Sequence, residues 1–191
     1  MKKINIYKLG GKVISSKEKL EKFLQLFSSD SNQKILIHGG GNIANKVLKS
    51  MKIEPNQIKG RRVTDSQTLD VVTMVYAGLV NKQIVSKLQS MGCNALGLSG
   101  ADGNIIVAKK REVKDIDYGF VGDIESVNIE TLSMFLRNGQ VPVVCSITHD
   151  AAGQLLNTNA DTIATTIAKE MAAEWKVSIY YYFDFNGVLS D

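Results

Sequence analysis

Cysteine is nearly absent. Cys93 and Cys145 are the only two in 191 residues, each alone in an apolar run with no CxxC spacing, which excludes a disulfide framework or a thiolate zinc site and leaves two buried free thiols. Long apolar runs are missing too. No window reaches the ~18 apolar residues of a membrane span. The start, MKKINIYKLGG, is basic but has no signal-type apolar stretch, because Lys8 interrupts it. A membrane protein is not expected, and a cytoplasmic address is. Internal repeats and low-complexity segments are lacking. So is the P-loop pattern G-x-x-x-x-G-K-[ST], which argues against a Walker-type site. No stretch interleaves basic with aromatic residues, so nucleic acid is not an expected partner even at a net charge of +4. The densest basic cluster, Lys109, Lys110 and Arg111, lies between two strand-like runs and reads as a solvated hairpin tip.

What is present is an ordinary globular composition, 44% hydrophobic and 22% charged, in a length suited to one domain. KINIYKL and KILIH read as short buried strands, and between them Leu20, Phe23, Leu24 and Phe27 recur at helical spacing, which makes a βαβ unit. A second helix carries Ile43, Val47, Leu48 and Met51 on one face. Thr64 or Asp65 can cap a long helix whose stripe is Leu69, Val72, Val75, Tyr76, Leu79 and Leu88, closed by Gly92. CNALGLS is the next strand, and residues 104–127 read as a β-hairpin layered onto the sheet. Asn128 caps a helix ending near Gly139, VPVVCSI is a strand, Asn157 to Ala173 is helical, and VSIYYYF is the last strand. This alternation predicts a three-layer αβα sandwich on an open, mainly parallel sheet.

Ligands of such sheets sit at the carboxyl ends of the strands. Three of those ends are rich in Gly, Lys or Asn: Lys8-Leu9-Gly10-Gly11-Lys12, Gly39-Gly40-Gly41-Asn42, and Asn157-Thr158-Asn159-Ala160-Asp161 at a helix start. Ordering three consecutive glycines costs backbone entropy, and an anion held by backbone N–H groups at a helix start is one reason to do so. GGGNIA also fits the G-x-G-x-x-A fingerprint of dinucleotide-binding domains. Against that, Glu54 and Asp65 fall in a connector and at a helix start, where neither closes a strand about twenty positions on. A dinucleotide-binding oxidoreductase domain and a non-catalytic amino-acid-binding module are the alternatives.

YKLGGK, IHGGGN, GRRVTD, QLLNTNAD and FDFNGVLSD, taken in order along the whole chain, resemble the amino acid kinase family, and within it the acetylglutamate kinases. The resemblance implies ATP-dependent phosphorylation of the side-chain carboxylate of N-acetyl-L-glutamate, or a related N-acyl-glutamate, in the second step of arginine biosynthesis. It implies ATP with Mg2+ and no metal site made of protein ligands alone. By the same resemblance Lys8 is the catalytic lysine, Asp161 orients it, and Arg62 holds the substrate's α-carboxylate, with Arg61 as a competing neighbour. Asn157 would bind substrate while capping the following helix; Gly40 and Gly41 would bind substrate, and Gly10, Gly11 and Asp184 the phosphates and nucleotide. A homodimer is implied through the helix at residues 65–91, where Val71, Met74, Val80 and Val85 widen the apolar stripe. His38 and His149 have no catalytic part, since a carboxylate acceptor with a pKa near ~4.3 needs no general base.

Residues 1–191 form a single domain in this reading, 1–150 mainly for the acyl amino acid and 151–191 opening the nucleotide-binding part. The family continues past its GVLSD motif and commonly has a small hydroxyl residue where Phe183 precedes Asp184. A chain ending at Asp191 is therefore expected to lack most of the nucleotide wall, with a second catalytic lysine, and to be poorly soluble or inactive.

Overall fold

The structure, a computed structural model, describes residues 2–183. Strand β1 (Lys2–Leu9) is followed by a single turn α1 (Gly11–Ile14), helix α2 (Lys17–Ser29) and strand β2 (Gln33–His38). Ser16 starts α2 by accepting from the Lys19 N–H, satisfying one of the donors that a helix start leaves unpaired. The predicted stripe Leu20, Phe23, Leu24 and Phe27 is buried. Helix α3 (Gly41–Ser50) follows the glycines, then a short antiparallel ribbon, β3 (Gln57–Ile58) with β4 (Arg61–Arg62). Asp65, rather than Thr64, caps α4 (Ser66–Thr73), its carboxylate accepting from the Thr68 N–H.

The long helix is continuous through α5 (Asn81–Ser90), but residues Met74–Val80 between them are wound as a π-helix. Turns closed by i→i+5 bonds hold more residues than α-turns, so side chains past Met74 leave the 3.6-residue phase. Leu79, read as part of the buried stripe, is exposed, whereas Val71 and Val80, read as surplus to it, are fully buried.

Next come β5 (Ala95–Leu98), β6 (Ile106–Lys110) and β7 (Gly122–Val127), then α6 (Ile129–Arg137), capped by Asn128. Strands β8 (Val141–Cys145), β9 (Ile147–His149) and β10 (Leu155–Asn157), helix α7 (Ala160–Met171) and β11 (Trp175–Tyr182) complete the described chain. The central sheet has the order β11-β1-β2-β8-β5, with every neighbouring pair parallel. Residue alternation along its strands feeds two cores. Tyr7, Leu9, Leu36, Val143 and Cys145 face α2 to α5, while Ile4, Ile6, Ile35, Ile37 and Val144 face α6 and α7. This is the predicted three-layer sandwich.

The hairpin β6-β7 belongs to a four-stranded sheet of its own, ordered β10-β9-β6-β7. Two of its strands escaped the sequence reading. β9 directly continues the apolar run of β8, and Leu155–Asn157, assigned partly to a helix, pairs antiparallel with β9. The helix starts only at Ala160, because Asn159 accepts from the N–H groups of Asp161 and Thr162.

Candidate active site

At the carboxyl ends of β1 and β2 the sheet opens into a cleft of about 330 Å³. Its walls include Lys8, Gly11, Gly39 to Asn42, Arg62 and the run Asn157 to Asp161. Residues from the two ends of the described chain, Lys8 and Asp161 among them, thus meet where the open α/β architecture directs them.

Lys8 is the last residue but one of β1 and is 8% exposed. Its Nζ lies 2.8 Å from Asp161 Oδ1 and 5.2 Å from the centre of the Phe183 ring. A carboxylate on one side and an aromatic face on the other hold the ammonium in place. Asp161 is positioned by the cap of α7, and its side chain stays half exposed.

The glycine loop has two physical explanations. A Cβ on Gly40 would lie 2.8 Å from Cδ1 of Tyr76, so the absence of a side chain there lets the ring pack on the backbone. Gly40 is also the N-cap of α3 and offers no side-chain acceptor, so the first-turn N–H groups of this helix lack a side-chain cap and can meet an anion. Gly11 lines the cleft as well. Gly10 does not, and its N–H donates to the carbonyl of Tyr182 at 3.0 Å. That bond joins the turn to β11. Asp184 lies outside the described residues.

Arg62 and Arg61 separate cleanly. Arg61 is exposed, while Arg62 is 7% exposed. The Arg62 Nη2 donates to Asn45 Oδ1 at 2.6 Å and to the Gly41 carbonyl at 3.2 Å. Its Nη1 is buried with no hydrogen-bond partner among the described residues, and a buried guanidinium N–H is a donor suited to a carboxylate oxygen. Asn157 donates through Nδ2 to Thr64 Oγ1 at 3.0 Å, across 93 positions. It does not cap α7, which Asn159 does.

Two cleft residues, Tyr76 and Arg111, and the Arg62 partner Asn45 had no such role in the sequence reading. Tyr76 was counted as core, and it is buried, but the π turn brings it to the glycines. Asn45 has no local signal. Arg111, read as part of a solvated tip, folds back and lines the cleft, with Nε 3.1 Å from both carboxylate oxygens of Asp123. That fork holds the Asp123 carboxyl below its ordinary pKa.

Beneath the glycines His38 is completely buried. Its Nδ1 is 2.8 Å from the Gly39 carbonyl and its Nε2 is 3.0 Å from Asn81 Nδ2, which also donates to the Val143 carbonyl. The pattern fits one neutral tautomer, with Nδ1–H donating and Nε2 accepting. Burial lowers its pKa from 6.5 to about 4. The unfolded chain therefore binds the proton first as pH falls, so stability is full above about pH 6.5 and drains away towards pH 4. A shift of that size corresponds to about 3 kcal/mol. Urea midpoints at pH 7 and pH 4.5 should differ accordingly, and His38→Asn should lose most of the difference.

A model of the amino acid kinase family matches residues 3–191. The acetylglutamate kinase of Phocaeicola vulgatus is 50% identical over 189 residues, which is 99% of this chain and 74% of that enzyme. The acetylglutamate kinase of Methanopyrus kandleri is 43% identical over 98% of this chain and 74% of its own. The chain thus spans about three quarters of the length of these relatives. Among solved structures, smu.665 from Streptococcus mutans superposes with a TM-score of 0.84 at 27% identity, covering all of this chain and 76% of that one. The N-acetylglutamate synthase of Neisseria gonorrhoeae, solved with coenzyme A and N-acetyl-glutamate, shares the fold at a TM-score of 0.82 and 22% identity, over 97% of this chain and 42% of that one. Since one family model runs through almost the whole sequence and enzymes bearing one name share up to half of it, the chain belongs to the amino acid kinase family, on its acetylglutamate kinase branch.

Proposed function

We propose that this protein transfers the γ-phosphoryl group of ATP to the side-chain carboxylate of N-acetyl-L-glutamate, or of a close N-acyl relative, as the second step of arginine biosynthesis. The observation that carries the reading is the pairing, in one cleft, of an oriented ammonium with a buried guanidinium whose Nη1 has no acceptor among the described residues. The acceptor carboxylate is already ionised at neutral pH, so the obstacle is bringing one anion to another. Lys8, held by Asp161, supplies positive charge that matters most as charge develops on the transferring group. The first-turn N–H groups of α3 and the backbone around Gly11, Gly40 and Gly41 add fixed dipoles with no reorganisation. Arg62, through Nη1, takes the α-carboxylate, and Asn157 contributes its remaining amide capacity to the same substrate.

Among the described residues no group of three or more His, Cys, Asp or Glu side chains could hold a metal. Magnesium in this reading arrives on the phosphate oxygens of ATP, as part of that substrate. The acyl amino acid is assigned mainly to residues 1–150, and the nucleotide to the part that starts at 151 and includes Asp184. A hydroxylamine trap for acyl phosphate, run with ATP, magnesium and a panel of acylated and free amino acids, tests the reaction. Hydroxamate from N-acyl-glutamate alone is the expected result. Calorimetric binding of the acyl amino acid without any hydroxamate would instead identify a binding module.

The reading includes a homodimer through the helix at 65–91. Met74 and Leu79 in its π segment are 54% and 46% exposed, two large apolar side chains that a partner helix would cover. Light scattering should give twice the chain mass, and Met74→Lys combined with Leu79→Lys should halve it. A monomer before substitution removes the dimer from the proposal.

A further inference from the structure

Arg62 reaches the cleft from an unpromising support. It ends a ribbon of two residues per strand, and a two-stranded ribbon is marginal by itself. The direction of the guanidinium must then be set by its side-chain contacts. Both acceptors on Nη2, the Asn45 amide oxygen and the Gly41 carbonyl, are neutral, and no ion pair of Arg62 occurs among the described residues. Neutral acceptors fix orientation without cancelling charge, so the full attraction of the guanidinium is kept for a ligand. On the other side stands Tyr76. A Cβ built on Gly41 would lie 3.8 Å from Arg62 Nη2 and 4.0 Å from the Tyr76 hydroxyl. The Tyr76 ring rests on Gly40, and Val80 supports the same spot. Burial raises the Tyr76 pKa, and the neighbouring Arg62 opposes that rise. The hydroxyl therefore sits beside the guanidinium, where the π turn delivers it.

We propose that Asn45 and Tyr76 are positioning residues for Arg62, fixing its guanidinium so that Nη1 is presented to the α-carboxylate and selecting acyl amino acids that carry that group. The proposal rests on the function assigned to the cleft above, and it adds two residues that touch Arg62 rather than the reacting atoms. It predicts that their removal acts on recognition of one carboxylate and leaves phosphoryl transfer alone.

Asn45→Ala and Tyr76→Phe test it, the second removing a single hydroxyl with little risk to folding. Asn45→Ala removes a hydrogen bond to a charged group and should raise KM for N-acetyl-L-glutamate about tenfold or more, whereas Tyr76→Phe removes only a polar neighbour of the guanidinium and should raise it about threefold, with kcat within about twofold in both. N-Acetyl-4-aminobutyrate keeps the acceptor carboxylate and lacks the α-carboxylate, and its kcat/KM should not change. In an Arg62→Ala background neither substitution should add to the loss, as expected of residues that act through one group. Equal damage with both substrates, a fall in kcat at constant KM, or full additivity with Arg62→Ala would overturn the proposal. Calorimetric affinities for the two compounds give the same comparison without turnover. A protein that binds N-acetyl-L-glutamate more weakly after Tyr76→Phe but makes no hydroxamate would refute the kinase reading and leave this inference standing.

Discussion

Lys8→Ala is expected to lower turnover by about 10²- to 10³-fold, the scale set by removing one preorganised electrostatic donor from a transition state. Affinity for the acyl amino acid should stay within about threefold, because the loss is confined to charge that develops during transfer. The structure sharpens this expectation. Lys8 is nearly buried and its Nζ is held 2.8 Å from Asp161, so the charge is placed before transfer begins. Asp161→Asn should cost less, since it keeps the hydrogen-bonding reach and removes only the charge that orients the ammonium. The hydroxylamine assay gives turnover and calorimetry gives affinity. An unchanged kcat would remove Lys8 from the mechanism.

Arg62→Ala should produce the opposite split. Truncating one partner of a buried, hydrogen-bonded charge pair costs about 2–5 kcal/mol, so KM for the acyl amino acid should rise roughly 30-fold or more while kcat is largely kept. Arg62→Lys should not restore affinity, because an ammonium cannot reproduce the fork that engages Asn45, Gly41 and a carboxylate together. Arg61 provides the control. It is exposed, and Arg61→Ala should change KM by no more than about twofold. Equal effects of the two substitutions would place the substrate anchor elsewhere.

Signals within a few residues of one another carried the architecture. The stripe Leu20, Phe23, Leu24, Phe27, the caps at Asp65 and Asn128, and the strand-to-glycine junctions after Leu9 and His38 all depend on backbone period and local hydrogen bonding. The sequence therefore determined the alternation of strands and helices, the parallel sandwich and the end of the sheet where a ligand belongs. The π turn at Met74–Val80 was not legible, since a 3.6-residue stripe can be drawn through the same residues and only packing reveals the lost phase. Strand Leu155–Asn157 was hidden for a related reason, because three residues show no period and their partner lies in β9.

Only the tertiary structure decided which side chains face one another. Arg61 and Arg62 are identical in type and adjacent, and burial alone separates them. The Arg62 to Asn45 and Asn157 to Thr64 bonds join positions 17 and 93 residues apart, and Gly10 gives its N–H to the carbonyl of Tyr182 at the far end of the described chain. Hydrogen bonds are short and directional, so they are fixed by distances of a few tenths of an ångström that no local pattern contains. The sequence determined which residue types reach the cleft, and the packing of α3, the π turn and the β3-β4 ribbon decided which of their polar atoms are satisfied and which remain open to a substrate.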